Sequence, residues 1–440
     1  MDSFKVAILG CGTVGGGVAQ ILTGFKKSIC DRSRKNIELA KIVDIFPSKS
    51  SQRFGIDRKY FCGSTDELTR DQAGKEIKNV IESNDINLVV ETIGGDSEFI
   101  LNLHRDILNS GKHLVTANKA LLAKYGSELF KLAESKGVYY GFEASVCGAI
   151  PIIKTIIDSF SGDLIESICG IMNGTSNYIL TKMQNESLTF EESLKMAQAN
   201  GYAELDPTLD ISGGDAGNKL VILLKLVYGV NIKLDDLKII GIDKLTKYDF
   251  DCAKEMNCSI KLICFAERVN DKVFGSVRPT MVRNTNILSK INNATNAVML
   301  RNKYSGEHIL VGEGAGSLET ASAITGDIVA AAASGISLTN PVNHPSNLKF
   351  ETPEKYLAPY IITFDTEDQP GITGSVTTAI GEQNINIDTV GHNSRLVKDR
   401  AVFSVATMPC SIEQINKAIE TIKQRRPGIL RSEPKIMPIL

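Results

Sequence analysis

Between Lys5 and about Gly148, five β-rich apolar runs alternate with helical patterns: KVAILG, ELAKIVD, INLVVET, KHLVTA and VYYGFEA. That rhythm predicts a parallel sheet with helices on its faces. From Pro151 to about Leu310 the segments become longer and mixed, which predicts a second, α+β domain. Within it a helix is expected over Asp215–Val227, with Leu220, Leu223, Leu224 and Val227 on its apolar side. The glycine-punctuated turn GEGAGSLETASA, Gly312 to Ala323, leads into a helix that continues through DIVAAAA. This helix, about 315–340, is expected to complete the first domain. Pro341, Pro345, Pro353 and Pro359 mark a linker over 341–357. Residues 358–440 then read as strand, turn, helix, strand, turn, strand and a last helix from about Ser411 to Arg425. This βαββα(β) order fits a small ferredoxin-like domain. The expected division is 1–150, 151–314, the linker, and 358–440.

Composition narrows the classes. A chain of 440 residues exceeds one ordinary core, and 42% hydrophobic with 23% charged residues describes a globular protein. The formal net charge of -2 offers no basic field for nucleic acid, so a small-molecule partner is expected. The nine cysteines are scattered, with no C-x-x-C pair, as thiols in a reducing compartment would be. The N-terminus lacks a secretory pattern and no apolar run reaches the ~18 residues of a membrane span, so a cytoplasmic protein is expected. The five histidines show no metal spacing.

The first candidate for chemistry is VAILGCGTVGGGVAQIL. Gly10, Gly12 and Gly15 form G-x-G-x-x-G directly after a strand and at the opening of a helix that begins near Thr13 and Val14. One glycine makes the tight turn, the next admits a pyrophosphate close to backbone, and the third lets helix and strand pack. The helix N-terminus offers unpaired N–H groups to the phosphates. These features predict a Rossmann-type doubly wound parallel sheet that binds NAD or NADP. Asp44, at the end of the next strand, is placed to accept from the adenosine ribose and leans the reading towards NAD, although Lys49 and Arg53 lie nearby. A turn or capping aspartate is the plainer reading of Asp44.

Six further segments, in order, carry a resemblance: ETIGG, VTANKALLA, EASVCGAIPII, GIMNGTSNYIL, GYAELDPTLDISGGDAGNKL and GAGSLETASA. Together they resemble homoserine dehydrogenase across residues 1 to about 340. The C-terminal DTEDQPGITGSVTTAIGEQNINID resembles an ACT regulatory domain. The resemblance implies hydride transfer between a nicotinamide cofactor and the pair L-aspartate 4-semialdehyde and L-homoserine, in the pathway to threonine, methionine and isoleucine. It also implies a homodimer or homotetramer, and an amino acid such as threonine as effector, with DQPG and NINID near its site. A purely dimer-building C-terminal domain is the alternative.

Residue roles follow from the same resemblance. Lys219 matches the proton donor and Asp215, four residues earlier on the same helix face, a substrate-contacting acid. Without the resemblance the pair reads as a surface ion pair. Glu204 matches the acceptor for the substrate ammonium, with Gly201 close to cofactor and substrate. Asp210 matches an acid near the site, whereas Asp206 precedes Pro207 and reads as a turn former. Lys119 matches a second site lysine, and its place on the first turn of a helix, against the dipole, favours a functional reason. Thr92, Thr116 and Gly316 are expected at the cofactor. Glu143 and the carbonyls of Val146, Gly148 and Ile150 match a sodium loop. Cys147 reads as a packed thiol, not a nucleophile. The competing readings are an oxidoreductase for another carbonyl substrate and a non-catalytic nucleotide and amino-acid sensor.

Overall fold

A computed structural model describes residues 2–334, 347–391, 394–397 and 400–440. Prolines 341 and 345 of the expected linker, and the end of the helix expected to reach 340, lie outside them. The chain divides into two compact units made of interleaved stretches: Met1–Glu166, Asn218–Leu234 and Asn296–Leu348, and then Ser167–Gly217, Asp235–Thr295 and Lys349–Leu440.

In the first unit the five expected apolar runs are strands β1 (Ser3–Leu9), β2 (Asn36–Val43), β3 (Leu88–Glu91), β4 (His113–Thr116) and β5 (Tyr140–Gly141). They pair in parallel in the order β2-β1-β3-β4-β5. The chain therefore leaves β1 to one side for β2 and returns to its other side for β3, which makes the carboxyl ends of β1 and β3 the switch point where such sheets bind ligands. Val6 and Ile8 on β1 pack with Val18 and Leu22 of helix Thr13–Gly24 and with Ile324 and Ile328 of helix Ser317–Ser334. The late helix thus closes on the earliest one. Gly17 permits the approach, since a Cβ there would lie 2.7 Å from the Ser317 carbonyl oxygen.

The second unit holds an antiparallel hairpin, Cys258–Val269 with Lys272–Arg283, turned at Asn270 with φ +57°, a conformation asparagine tolerates. Strand Ile165–Ile171 pairs with it through Ser167 to Gly170. The C-terminal part of this unit is a ferredoxin-like sheet in the order Ile387–Val390, Arg400–Thr407, Tyr360–Glu367, Lys435–Pro438, with neighbours antiparallel. Helices Ile372–Glu382 and Ile412–Arg425 supply Val376, Ile380, Ile415 and Ile419 to its core. Ser411 starts the last helix with a capping box to Gln414. Among the described residues no helix is long and apolar enough to cross a membrane.

Candidate active site

The glycine turn after β1 is shaped by close approach. Gly10 has φ +88°, and a Cβ there would lie 2.9 Å from the Thr92 carbonyl oxygen. At Gly15 a Cβ would fall 2.0 Å from the Gly10 carbonyl oxygen. At Gly12 it would meet nothing within 4 Å, so this glycine leaves open space above the turn. The helix that Gly12 begins has no side-chain cap and no acid in its first turn, so its N-terminal N–H groups suit an anion. Thr13 and Val14 open that helix. The Thr13 carbonyl accepts from the Ser317 hydroxyl at 2.6 Å, its hydroxyl lies 3.4 Å from Arg53 Nη2, and Val14 packs on the core.

A cavity of about 1240 Å³ extends from this turn along Asp44, Lys49 and Arg53 to Arg70 and Lys78, and along Thr92 to Phe99. That is ample for a dinucleotide. Asp44 lines it and also ties the turn down: Oδ2 accepts from the Cys11 N–H at 2.6 Å, and Oδ1 from the Phe46 N–H at 2.7 Å and the Ser50 hydroxyl at 3.2 Å. Burial, and then the Asp44 charge, push the Cys11 thiol up to about 12, so it is no nucleophile.

The ends of β3 and β4 are joined by a buried network that sequence reading did not foresee. Glu91 Oε1 accepts from the N–H groups of Ile93 and Gly94, at 2.7 and 2.8 Å. Its Oε2 meets His104 Nε2 at 3.0 Å and the Thr116 hydroxyl at 2.8 Å. Burial opposes ionisation of Glu91, but the hydrogen bond and charge of His104, with Gly94 and Thr116, outweigh it and hold the carboxyl below its ordinary value. The Thr92 hydroxyl donates to the carbonyls of Leu9 and Gly10, at 3.2 and 2.7 Å. Thr116 is fully buried and also accepts from the Asn118 N–H at 3.0 Å. Asn118 caps helix Lys119–Lys136 and donates to the Gly95 carbonyl at 2.7 Å. Lys119, half-buried, is the first residue of that helix.

Glu143 is buried, with its oxygens accepting from the N–H groups of Ile153 and Lys154 at 2.8 and 2.7 Å. Its own N–H donates to Asp327, which pairs with Lys154 at 2.8 Å. Burial, then the Asp327 charge, raise the Glu143 carboxyl to about 7. Two buried acids thus face one ammonium, an excess of negative charge that suits a monovalent cation. In the following loop Cys147, φ +56°, and Gly148, φ +49°, take left-handed conformations between Val146 and Ile150. A Cβ on Gly148 would lie 2.7 Å from the Gly314 carbonyl oxygen. Gly316, φ +140°, precedes helix Ser317–Ser334. Among the described residues no cluster of three or more His, Cys, Asp or Glu could hold a metal.

In the second unit the acidic segment resolves into different parts. Asn173, the cap of helix Gly174–Glu186, donates its amide to Asp210 Oδ1 at 2.7 Å and to Asp215 Oδ2 at 2.8 Å. Asn173 was not singled out from the sequence, although it lies inside GIMNGTSNYIL; an asparagine before Gly-Thr-Ser is a capping signal. Asp206 accepts from the N–H and hydroxyl of Thr208, at 3.1 and 2.6 Å, and shapes the short helix Thr208–Ile211. Glu204 is exposed, and its carbonyl accepts from the Gln198 amide at 3.2 Å. Gly201 is exposed with φ +75°. Asp215 and Lys219 are both buried on one helix, Gly214–Tyr228, at a spacing of one turn; the helix starts in the second unit and from Asn218 onward belongs to the first. A second buried lysine on this helix, Lys225, donates to the Ala123 carbonyl, and burial brings it down to about 8.

The family model for "Homoserine dehydrogenase" matches residues 151–329, and that for "Homoserine dehydrogenase, NAD binding domain" matches residues 10–143. The chain is 32% identical to the homoserine dehydrogenase of Neisseria gonorrhoeae and 35% identical to that of Pseudomonas aeruginosa, with 96% of each chain covered in both cases. The chain belongs to the homoserine dehydrogenase family. The crystal structure of a homoserine dehydrogenase from Thiobacillus denitrificans superposes with a TM-score of 0.88 at 30% identity, covering 100% of this chain and 99% of the other. A hyperthermophilic archaeal homoserine dehydrogenase in complex with NADPH matches at a TM-score of 0.60 and 26% identity, over 74% of this chain and 97% of its own. As homoserine dehydrogenases do, this chain acts as an NAD(P)-dependent oxidoreductase that interconverts L-aspartate 4-semialdehyde and L-homoserine.

Proposed function

We propose that Lys219 gives the proton to the substrate oxygen when the aldehyde is reduced and takes it back when homoserine is oxidised. The observation that carries this assignment is a buried lysine one helical turn beyond Asp215, whose carboxylate Asn173 holds together with that of Asp210. The nicotinamide, when bound, supplies or accepts the hydride. Asp215 orients the Lys219 ammonium and the substrate, and Asp210 adds negative charge beside it. Glu204 binds the substrate ammonium and Gly201 lets backbone approach. Lys119 faces the substrate at the carboxyl end of β4. Gly10, Gly12, Thr13, Val14, Gly15, Asp44 and Gly316 form the cofactor cradle, and Thr92 and Thr116 fix the turns beneath it. Glu143 and the carbonyls of Val146, Gly148 and Ile150 would hold sodium, which would steady the loop.

In this reading 1–150, completed by the helix that starts near 315, binds the dinucleotide, 151–314 binds substrate and builds a homodimer or homotetramer, and 341–357 links them to a regulatory domain of the ACT kind at 358–440. The ferredoxin-like sheet supports this. So does the family model, whose match ends at residue 329, ahead of that sheet. Threonine, a product further along the same pathway, is the effector, and the enzyme works in the cytoplasm. The test follows NADH and NADPH absorbance with aspartate semialdehyde, with and without threonine. Oxidation of at least one cofactor and its inhibition by threonine are expected; activity indifferent to threonine removes the effector assignment.

A further inference from the structure

Helix Gly214–Tyr228 holds a buried lysine that the proposed chemistry does not use, Lys225, six residues beyond Lys219. From Asn218 onward this helix belongs to the first unit, as does helix Lys119–Lys136. Within that unit Lys225 ties the two helices together. It is only 2% exposed, and its ammonium donates to the carbonyl of Ala123, one turn beyond Lys119. Burial is the influence that brings its pKa down to about 8, with no charged neighbour to offset the lost hydration. A second bond joins the same helix to the segment after Tyr228: the Ser127 hydroxyl donates to Asn231 Oδ1 at 3.2 Å.

A buried ammonium costs stability that a hydrocarbon side chain of the same length would not. Val221, Ile222 and Leu226 are buried on the same helix, but apolar contacts carry no direction and leave a helix free to slide along its axis. The bond from Lys225 selects one carbonyl and so sets that register. At ~1.5 Å of rise per residue, Lys219 stands about 9 Å along its helix from Lys225, and Lys119 about 6 Å along its own from Ala123. Rigid helices carry the register over such lengths. We propose that Lys225 is a positioning residue for the reaction: it fixes the helix that carries Lys219 against the helix that begins at Lys119, so that both lysines meet the substrate in one geometry. The inference rests on the assignment of Lys219 as proton donor, through which Lys225 acts.

A double-mutant cycle in the full chain tests this, with kcat measured per folded molecule at saturating aspartate semialdehyde and saturating NADH or NADPH, whichever is oxidised faster. Lys225→Met is expected to lower kcat about 10-fold, because a small displacement of a reacting group is costly. The melting temperature should hold or rise, since a buried charge is lost and the Ala123 carbonyl keeps its place in its own helix. NAD(P)H affinity, read by fluorescence, should not change. In Lys219→Ala no proton donor is left to misplace, so adding Lys225→Met should alter kcat by less than about 2-fold. A tie that only stabilised the fold would lower the melting temperature and leave kcat per folded molecule alone; that result overturns the proposal, as does an equal fold-loss of kcat in both backgrounds. Lys219→Ala turning over like the wild type removes the proton donor and this role together, whereas a crippled Lys219→Ala without coupling removes the role of Lys225 alone. Should Lys225→Met not fold, Lys225→Gln decides: its amide ends one bond short of the carbonyl, so a reduced kcat coupled to Lys219 supports the proposal and wild-type kcat overturns it.

Discussion

At the glycine turn a Cβ on Gly15 would lie 2.0 Å from a carbonyl oxygen, whereas at Asn173 one amide nitrogen lies 2.7 and 2.8 Å from two carboxylates. The first region works by leaving atoms out. Its chemistry is offered by backbone N–H groups and a helix end, so the sequence must avoid side chains there. The second works by placing charge, and needs a donor to keep two acids together. Substitutions therefore fail in different ways in the two regions: added bulk harms the first, and loss of a polar atom harms the second.

The largest effect is expected at the charged region. Lys219→Ala should lower turnover by ~100-fold or more, as loss of a positioned proton donor does. NAD(P)H binding, read by fluorescence, should persist because the cradle lies around the glycine turn. Turnover near that of the wild type would remove Lys219 from the role.

Next come the glycines, where two substitutions of the same size should part company. Gly15→Ala drives a methyl into the Gly10 carbonyl and should cost roughly 1–3 kcal/mol of stability as overpacking does, together with cofactor binding. Gly12→Ala meets no protein atom within 4 Å, so the melting temperature should hold while cofactor affinity falls, since only the ligand approaches there. Equal melting losses for the two would show that Gly12 is a structural glycine and not a cradle.

Smaller again is Asn173→Ala, which leaves Asp210 and Asp215 without their shared donor. A loss of about 1–3 kcal/mol is expected from the lost hydrogen bonds to two carboxylates. KM for homoserine should rise more than cofactor affinity falls. An unchanged KM would confine Asn173 to capping its helix.

These sites also differ in how much of them could be read from the chain. Steric needs leave a one-letter trace, so the glycines, the five parallel strands and the helix from Gly214 were legible from local pattern. Asp206 was legible as a turn former for the same reason. The part played by Asn173 was not, because its bonds reach 37 and 42 residues along the chain and an asparagine before a helix has a sufficient local explanation as a cap. Glu91 was hidden in a similar way: ETIGG announces a turn, but His104 reaches it from a helix and Thr116 from the next strand. The long hairpin, Cys258 to Arg283, was blurred because its inner strands are buried on both faces and show little alternation.

The smallest expected effect concerns Glu143, which belongs to neither extreme, since its acid is buried beside a loop of left-handed backbone. Its carboxyl is raised from 4.5 to about 7 by burial first and then by Asp327, so the folded state holds the proton more tightly than the unfolded chain. The resulting stability is fully present below 4.5 and is lost as pH rises through about 7. One proton limits the slope to ~1.4 kcal/mol per pH unit. A monovalent cation bound on the loop, as proposed, would lower this pKa, so the decline should be shallower in sodium chloride than in choline chloride at equal ionic strength. Urea unfolding at pH 5, 6 and 7 in the two salts measures it. Equal slopes would remove the cation from the loop, and a slope that survives in Glu143→Gln would place the titrating group elsewhere.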